Sequence, residues 1–91
     1  IYDGIFAASD LAAIGAMKAL QERGRRVPQD VAVVGFDDLA AASYASPPLS
    51  TVAQDSKAAG VALVEALLER IEGREGRPRL LPVTLKVRAS S

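Results

Sequence analysis

The chain has 91 residues, of which 49% are hydrophobic, and its 11 basic and 11 acidic residues balance to a net charge of zero. This apolar content excludes a disordered tail, and the lack of a basic excess argues against nucleic-acid binding by these residues alone. Cysteine and histidine are both absent, which excludes disulfides, thiol chemistry, the commonest general base and the commonest metal ligand.

The sequence also lacks the marks of a membrane or secreted protein. No apolar run approaches the ~18 residues of a membrane span, and no signal peptide is visible. We therefore expect a cytoplasmic protein that does not contact a membrane. Because the chain begins without methionine and opens directly into a strand-like run, we also expect it to be part of a longer protein.

The first half of the chain predicts a strand, a helix and a second strand. A short apolar strand is predicted over 4–8, where Ser9 or Asp10 closes it and caps the next helix. The helix is predicted over 11–23, with Ala13, Met17 and Leu20 on one face and Gly24 as its end. Residues 31–38 form a continuous apolar run that stops on two carboxylates, which is typical of a strand buried on both faces.

The second half of the chain repeats the alternation. A short alanine-rich helix is predicted over 39–45, a strand over 49–53, a long helix over 57–72 and a last strand over 80–87. The long helix has a clear apolar stripe made of Gly60, Val64, Leu67 and Ile71, widened by Val61 and Leu68. Alternating strands and helices predict an α/β fold with a parallel sheet and helices on its faces.

The two carboxylates after the central strand are the strongest candidate for a binding site. Ligands of open α/β sheets bind at the carboxyl ends of parallel strands, so we expect Asp37 to accept hydrogen bonds from a small polar molecule. The alternative is that Asp37 caps the helix that starts at Leu39, and Asp38 is expected to be a cap or a structural carboxylate. A magnesium site of a receiver domain is a weaker alternative, because no suitable lysine follows a buried strand.

Five segments, taken together and in this order, resemble the ligand-binding core of LacI/GalR-type transcriptional regulators. They are residues 8–16, 24–28 with Asp30, 33–38, 47–54 and 80–88. The resemblance implies the C-terminal part of a periplasmic-binding-protein-like core of type I, a parallel-sheet sandwich of two α/β subdomains joined by three crossovers. Residues 1–53 would belong to the C-terminal subdomain, 54–80 would be a crossover and helix of the N-terminal subdomain, and 81–91 would return to the C-terminal subdomain.

The resemblance also implies which residues contact an effector. Asp37 corresponds to the effector-binding aspartate of the family, and the effector would be a sugar or a nucleobase. Ser9 stands where many members carry asparagine, with a plain helix cap as the alternative. Gln54 lies on a crossover that often contacts effector, with a solvated hinge residue as the alternative.

The family further implies a homodimer and an operator-binding helix-turn-helix headpiece that these residues do not include. The dimer surface would use Ile14, Met17, Lys18, Ala41, Ala42 and Ala45, although Ile14 and Met17 could instead fill the local core. No cofactor, metal or catalysis is expected. A periplasmic sugar-binding protein of a transporter would share the fold and is the main alternative. The apolar stripe of the long helix predicts that it packs against another chain or another part of a longer one.

Overall fold

Strands and helices alternate along the chain in the computed structural model, which describes residues 3–76 and 78–91. Their bounds are β1 (Gly4–Phe6), α1 (Asp10–Glu22), β2 (Ala32–Phe36), α2 (Ala40–Tyr44), β3 (Ser50–Gln54), α3 (Ser56–Ile71) and β4 (Val83–Lys86). This order confirms the predicted order of elements. Most strands are shorter than their apolar runs, and β4 begins three residues later than predicted.

The four strands form one sheet in the order β1-β2-β3-β4. The pairs β1–β2 and β2–β3 are parallel, with Ile5 opposite Val33 and Gly35 opposite Thr51. The carboxyl ends of these three strands therefore lie at one edge of the sheet. This arrangement confirms the predicted α/β fold with parallel strands.

The hydrophobic core lies between α1, α2 and the sheet. Its buried members are Ala13, Met17, Val27, Val33, Ala42 and Leu49, with Ile14 and Leu20 packed at its margin. The prediction that Ala13, Met17 and Leu20 share the inner face of α1 is confirmed. The central strand, however, is not buried on both faces, because Val33 and Gly35 are buried while the alternate residues of β2 are half-buried.

Both long helices begin and end at the residue types that favour those positions. The Ser9 hydroxyl accepts a hydrogen bond from the Ala12 N–H of α1 at 3.2 Å, and the Asp55 carboxylate accepts one from the Ala58 N–H of α3 at 3.0 Å. Such caps satisfy N–H groups that have no partner inside the helix. Gly24 follows α1 with φ of 74°, a left-handed conformation that glycine adopts without steric cost.

The chain divides into two compact units. The first unit runs up to Ala53 and resumes at Thr84, and the second unit is Gln54–Val83. In the second unit, α3 has no buried residue, and its apolar stripe is exposed. None of the helices in the described ranges is long and apolar enough to cross a bilayer. The assignment of 54–80 to a different subdomain of a larger core remains a prediction.

Residues 88–91 are built into the first unit rather than forming a tail. Ser90 is fully buried; its hydroxyl donates to the Val33 carbonyl at 2.6 Å and accepts from the Ser50 N–H at 2.8 Å. The Val33 N–H donates to the Ser90 carbonyl at 2.8 Å, and the Ser90 N–H donates to the Pro48 carbonyl at 3.0 Å. These bonds join β2 and the start of β3 through a residue that no pattern in the sequence assigns to the core.

Candidate functional site

The turn between β2 and α2 has an unusual backbone. Asp37 has φ of 111° and Asp38 has φ of 57°, so two successive residues with side chains lie in the left-handed region. Each such residue costs on the order of 1–3 kcal/mol unless the surroundings hold it in place. Aspartate tolerates positive φ better than most residues, but a pair of them requires support from the rest of the fold.

Strand β3 holds the first two residues of this turn. The Asp37 N–H donates to the Val52 carbonyl at 2.8 Å. The Asp38 N–H donates to the Thr51 hydroxyl at 3.3 Å. The turn therefore continues the pairing of β2 with β3 beyond the end of β2, and its first two amides have fixed partners.

The third amide of the turn is held by a buried carboxylate from α1. Asp10 is fully buried, and one of its oxygens accepts from the Leu39 N–H at 2.6 Å while the other accepts from the Thr51 hydroxyl at 2.6 Å. Gly35 makes room for this carboxylate, because a Cβ there would collide with Asp10 Oδ1 and with Leu49 Cδ2. Asp10 thus holds the N–H of Leu39, which is the N-cap residue of α2, and the alternative that Asp37 caps this helix stays a prediction.

Asp38 is a structural carboxylate, as one of its two predicted roles required. Its Oδ1 accepts from Arg88 Nη2 at 2.9 Å, and Arg88 Nη1 donates to the Leu49 carbonyl at 2.9 Å. Both side chains are half-buried. Because this carboxylate already bonds to a guanidinium, the arrangement disfavours the alternative of a magnesium ion shared by Asp37 and Asp38.

Asp37 and Ser9 lie at the same edge of the sheet. Each follows the carboxyl end of one of two adjacent parallel strands, β1 and β2, and both residues are exposed. Ser9 acts as the cap of α1, as its alternative role required. Gln54 is exposed and is the last residue of β3, where the second unit begins. Contact of these three residues with a ligand remains a prediction.

Two of the six residues predicted for the dimer surface have almost no surface to offer. Met17 is 2% exposed and Ala42 is 0% exposed, since both pack in the core of the first unit. Because side chains buried this deeply offer almost no surface to a second chain, Met17 and Ala42 are not part of the proposed interface. The remaining four have accessible surface and stay a prediction: Ile14, Lys18, Ala41 and Ala45.

An ion pair orders the loop that leads into β2. Arg26 donates from Nη2 to Asp30 Oδ1 at 3.0 Å and from its backbone N–H to Asp30 Oδ2 at 2.7 Å. The hydrogen bonds from the Arg26 side chain, and then that from its backbone, lower the pKa of the Asp30 carboxyl from 3.8 to about 2. This pair precedes β2, at the end of the strand opposite to the Asp37 turn, and has a structural role.

The arginines that follow α3 have partners within their own unit. Arg79 contacts Glu69 at 2.6 Å, and Arg74 is paired with Glu72. Arg77, the third arginine of this loop, lies outside the described residues. Because these two guanidinium groups already bond to carboxylates, a binding site for phosphate, the other role that several arginines in one loop could have, is disfavoured here.

Sequence reasoning predicted that Asp37 directly follows a strand, as it follows β2 in the structure, but it missed Asp10 and Thr51. Asp10 was considered only as a helix cap, whereas its carboxylate bonds to residues 29 and 41 positions away. The available signal was a glycine inside a strand, since Gly35 marks a place where another group approaches the backbone closely. That signal alone does not identify the approaching residue.

Comparisons with known proteins agree with the resemblance. The family model of the periplasmic binding protein-like domain matches residues 2–91. The HTH-type transcriptional regulator CelR of Thermobifida fusca is 43% identical over 90 residues, which are 97% of this chain and 26% of that protein. A solved complex of CelR with cellobiose superimposes with a TM-score of 0.89 at 43% identity, covering 98% of this chain and 28% of that one.

The lac repressor gives a second structural match. Its dimer, solved with operator and the anti-inducer ONPF, superimposes with a TM-score of 0.85 at 39% identity and covers 98% of this chain and 32% of that one. The chain thus spans about a quarter of the length of the curated regulator that it matches. The family model covers almost all of the chain, and CelR and the lac repressor are transcriptional regulators; the chain belongs to the periplasmic binding protein-like domain family.

Proposed function

We propose that this chain is the effector-sensing part of a LacI-type transcriptional regulator, in which Asp37 accepts hydrogen bonds from a small polar ligand. The observation that carries the proposal is an exposed aspartate on a turn whose three successive amides are all hydrogen-bonded, at the carboxyl edge of a parallel sheet. This edge is where open α/β sheets bind ligands.

The chemistry of the site suits a ligand with several donors. An ionised carboxylate has two oxygens and accepts up to about four hydrogen bonds. Adjacent hydroxyls of a sugar, or ring and exocyclic N–H groups of a nucleobase, supply such donors. Because the turn is held before the ligand arrives, little conformational entropy is lost in fixing Asp37 on binding.

Two further residues are proposed to complete the site. Capping uses only an acceptor position of the Ser9 hydroxyl, so its O–H group remains able to donate to a ligand oxygen. Gln54, at the end of β3, carries an amide that offers both donors and an acceptor. Both proposals are supported by location, since Ser9 follows β1 and Gln54 is the last residue of β3 in the same sheet.

In the proposed mechanism the ligand regulates by binding, and this chain performs no catalysis. The effector shifts the equilibrium between two closure states of the core by as much as its affinity for them differs, with a coupling of about 1–3 kcal/mol in typical cases. A homodimer, contacted through the surface of Ile14, Lys18, Ala41 and Ala45, would pass the change to helix-turn-helix headpieces that bind operator DNA. The protein would act in the cytoplasm.

A transporter-associated sugar-binding protein remains the competing function. CelR and the lac repressor are regulators that are 43% and 39% identical to this chain over the aligned residues, and this favours the regulator. A helix-turn-helix before this segment in the natural polypeptide would agree with the proposal, and a signal peptide would refute it.

A ligand screen on the full natural polypeptide tests the role of Asp37. Thermal unfolding is measured with cellobiose, lactose, ribose and guanine as probes, first for the wild type and then for Asp37→Asn. We expect one class of probe to raise the unfolding temperature of the wild type and to lose that effect in the variant. Asp3→Asn is the matched control, because Asp3 is an exposed carboxylate that precedes β1. Equal stabilisation of wild type and Asp37→Asn would refute the proposal.

A further inference from the structure

The geometry points to Thr51, together with the Asp10 carboxylate, as positioning residues that set the effector-binding geometry of the Asp37 turn. This inference rests on the proposed function, because it concerns how the same site recognises its ligand. Neither residue is proposed to contact the ligand, since both are fully buried. They act through the backbone of residues 38 and 39.

The hydroxyl of Thr51 connects the Asp10 carboxylate to the backbone of the Asp37 turn. It donates to Asp10 Oδ1 at 2.6 Å and uses an oxygen lone pair to accept from the Asp38 N–H at 3.3 Å. A hydroxyl does both at once, because it carries one donor and two acceptor positions. Valine has the same shape as threonine and can do neither.

The Asp10 carboxylate connects the Asp37 turn to the start of α1. Its second oxygen accepts from the Leu39 N–H at 2.6 Å, and Asp10 itself is the first residue of α1, directly after the Ser9 cap. A change in the position of Asp10 therefore affects both the turn that carries Asp37 and the helix start that carries Ser9. The network connects the ends of β1 and β2, which hold two of the predicted ligand contacts, through β3.

The backbone of the turn makes this support necessary. With φ of 111° and 57°, Asp37 and Asp38 lie in a region that residues with side chains leave unless other bonds hold them. Removing the Thr51 hydroxyl withdraws the partner of the Asp38 amide and one partner of Asp10. The turn then relaxes toward ordinary backbone angles, and the Asp37 carboxylate loses the fixed orientation that binding sites require.

The test compares Thr51→Val with Thr51→Ser in the full natural polypeptide. Dissociation constants are measured by calorimetry for the probe sugar or guanine that stabilises the wild type, at a temperature well below unfolding. We expect Thr51→Val to weaken binding about tenfold or more, since two buried hydrogen bonds are lost, and Thr51→Ser to restore most of the affinity. Val33→Ala is the control: it removes methyl groups from the same core, and we expect lower stability with unchanged affinity.

A second measurement tests the stability of the turn in the absence of any ligand. Amide hydrogen exchange of the ligand-free protein is compared between wild type and Thr51→Val, and we expect faster exchange at Asp38 and Leu39 but not throughout β3. Asp10→Asn keeps one acceptor oxygen and serves as a second variant if Thr51→Val does not fold. Its affinity is expected to fall in the same direction by a smaller factor.

The outcomes separate this inference from the proposed function. If the wild type binds a probe through Asp37 and Thr51→Val binds it equally well, the inference is overturned and the proposed function stands. If the wild type binds no probe, the proposed function fails, and the exchange data alone test whether Thr51 positions the turn. Unchanged exchange at Asp38 and Leu39 overturns the positioning role, and faster exchange confined to them supports it.

Discussion

The close approach of Asp10 to Gly35 predicts that a single methyl group disrupts the centre of the first unit. A Cβ at Gly35 would lie 2.9 Å from Leu49 Cδ2 and 3.2 Å from Asp10 Cα, and would overlap Asp10 Oδ1. The Asp10 Cα belongs to the backbone of α1 and cannot swing aside as a flexible side chain would. In Gly35→Ala, either α1 or β2 must therefore shift.

The size of the effect follows from two contributions. Overpacking a filled core costs about 1–3 kcal/mol. Displacing the Asp10 carboxylate also weakens its bonds to the Leu39 N–H and the Thr51 hydroxyl, and hydrogen bonds to a charged group contribute about 1.5–3 kcal/mol each. With these bonds only partly weakened, we expect Gly35→Ala to lower the free energy of unfolding by about 2–4 kcal/mol.

Urea denaturation followed by circular dichroism measures this loss. With a slope of about 1–3 kcal/mol per molar urea, the midpoint should fall by roughly 1 M or more. Gly15→Ala is the matched control, because Gly15 lies inside α1 and a Cβ there meets no atom within 4 Å. There the better helix propensity of alanine should raise stability by about 0.5–1 kcal/mol. An unchanged midpoint for Gly35→Ala would show that the packing argument is wrong.

Two further predictions concern single side chains. Ser90→Ala removes the hydroxyl that bonds to Val33 and Ser50 inside the core, and leaving such groups without partners should lower the free energy of unfolding by about 1–3 kcal/mol in urea denaturation. The second concerns Asp30, whose pKa of about 2 in the folded chain lies below its ordinary value of 3.8 because Arg26 donates to it. Its ionised form therefore stabilises the fold above about pH 4, and this contribution is lost as the pH falls toward 2. Asp30→Asn should thus reduce stability at pH 7 and do so far less at pH 2.

Each of these predictions has a control within the chain. Ser43→Ala removes an exposed hydroxyl that bonds only to the Ala40 carbonyl, and it should change stability far less than Ser90→Ala; equal effects would contradict the role assigned to Ser90. For Asp30, an NMR titration of the carboxyl in Arg26→Met should show its pKa rising toward 3.8. Arg25→Met should move that pKa less, since Arg25 acts only through its charge at longer range. A pKa still near 2 without Arg26 would refute the assigned cause.

Local signals in the sequence were sufficient for the order of elements and for the two long helices. The spacing of apolar residues predicts α1 and α3 to within one residue at each end, because helix periodicity and the glycine ends are properties of neighbouring residues. Strand bounds were less accurate. The run over 31–38 is longer than β2 because β1 pairs with residues 32–34 and β3 with residues 34–36, which together cover only Ala32–Phe36.

The position of Asp37 after a strand was predictable from the sequence, but the hydrogen bonds that support its turn were not. The end of an apolar run before Asp37 is a local signal, and the parallel sheet determines which edge it occupies. The support of the turn by Asp10 and Thr51 depends on contacts between residues 13 to 41 positions apart. The burial of Met17 and Ala42 likewise depends on the packing of α1 against α2 and the sheet, and spacing alone does not distinguish an inner face from a dimer surface.

The position of Ser90 between β2 and β3 has a consequence for synthesis on the ribosome. Ser90 follows Ser50 by 40 positions and Val33 by 57 positions. At translation rates of about 5–20 residues per second, roughly 2–8 s pass between the addition of Ser50 and the addition of Ser90. During that interval the nascent sheet lacks the residue that pairs with the Val33 and Ser50 amides. The codons that encode the second unit therefore set how long a half-finished first unit is exposed to chaperones and proteases.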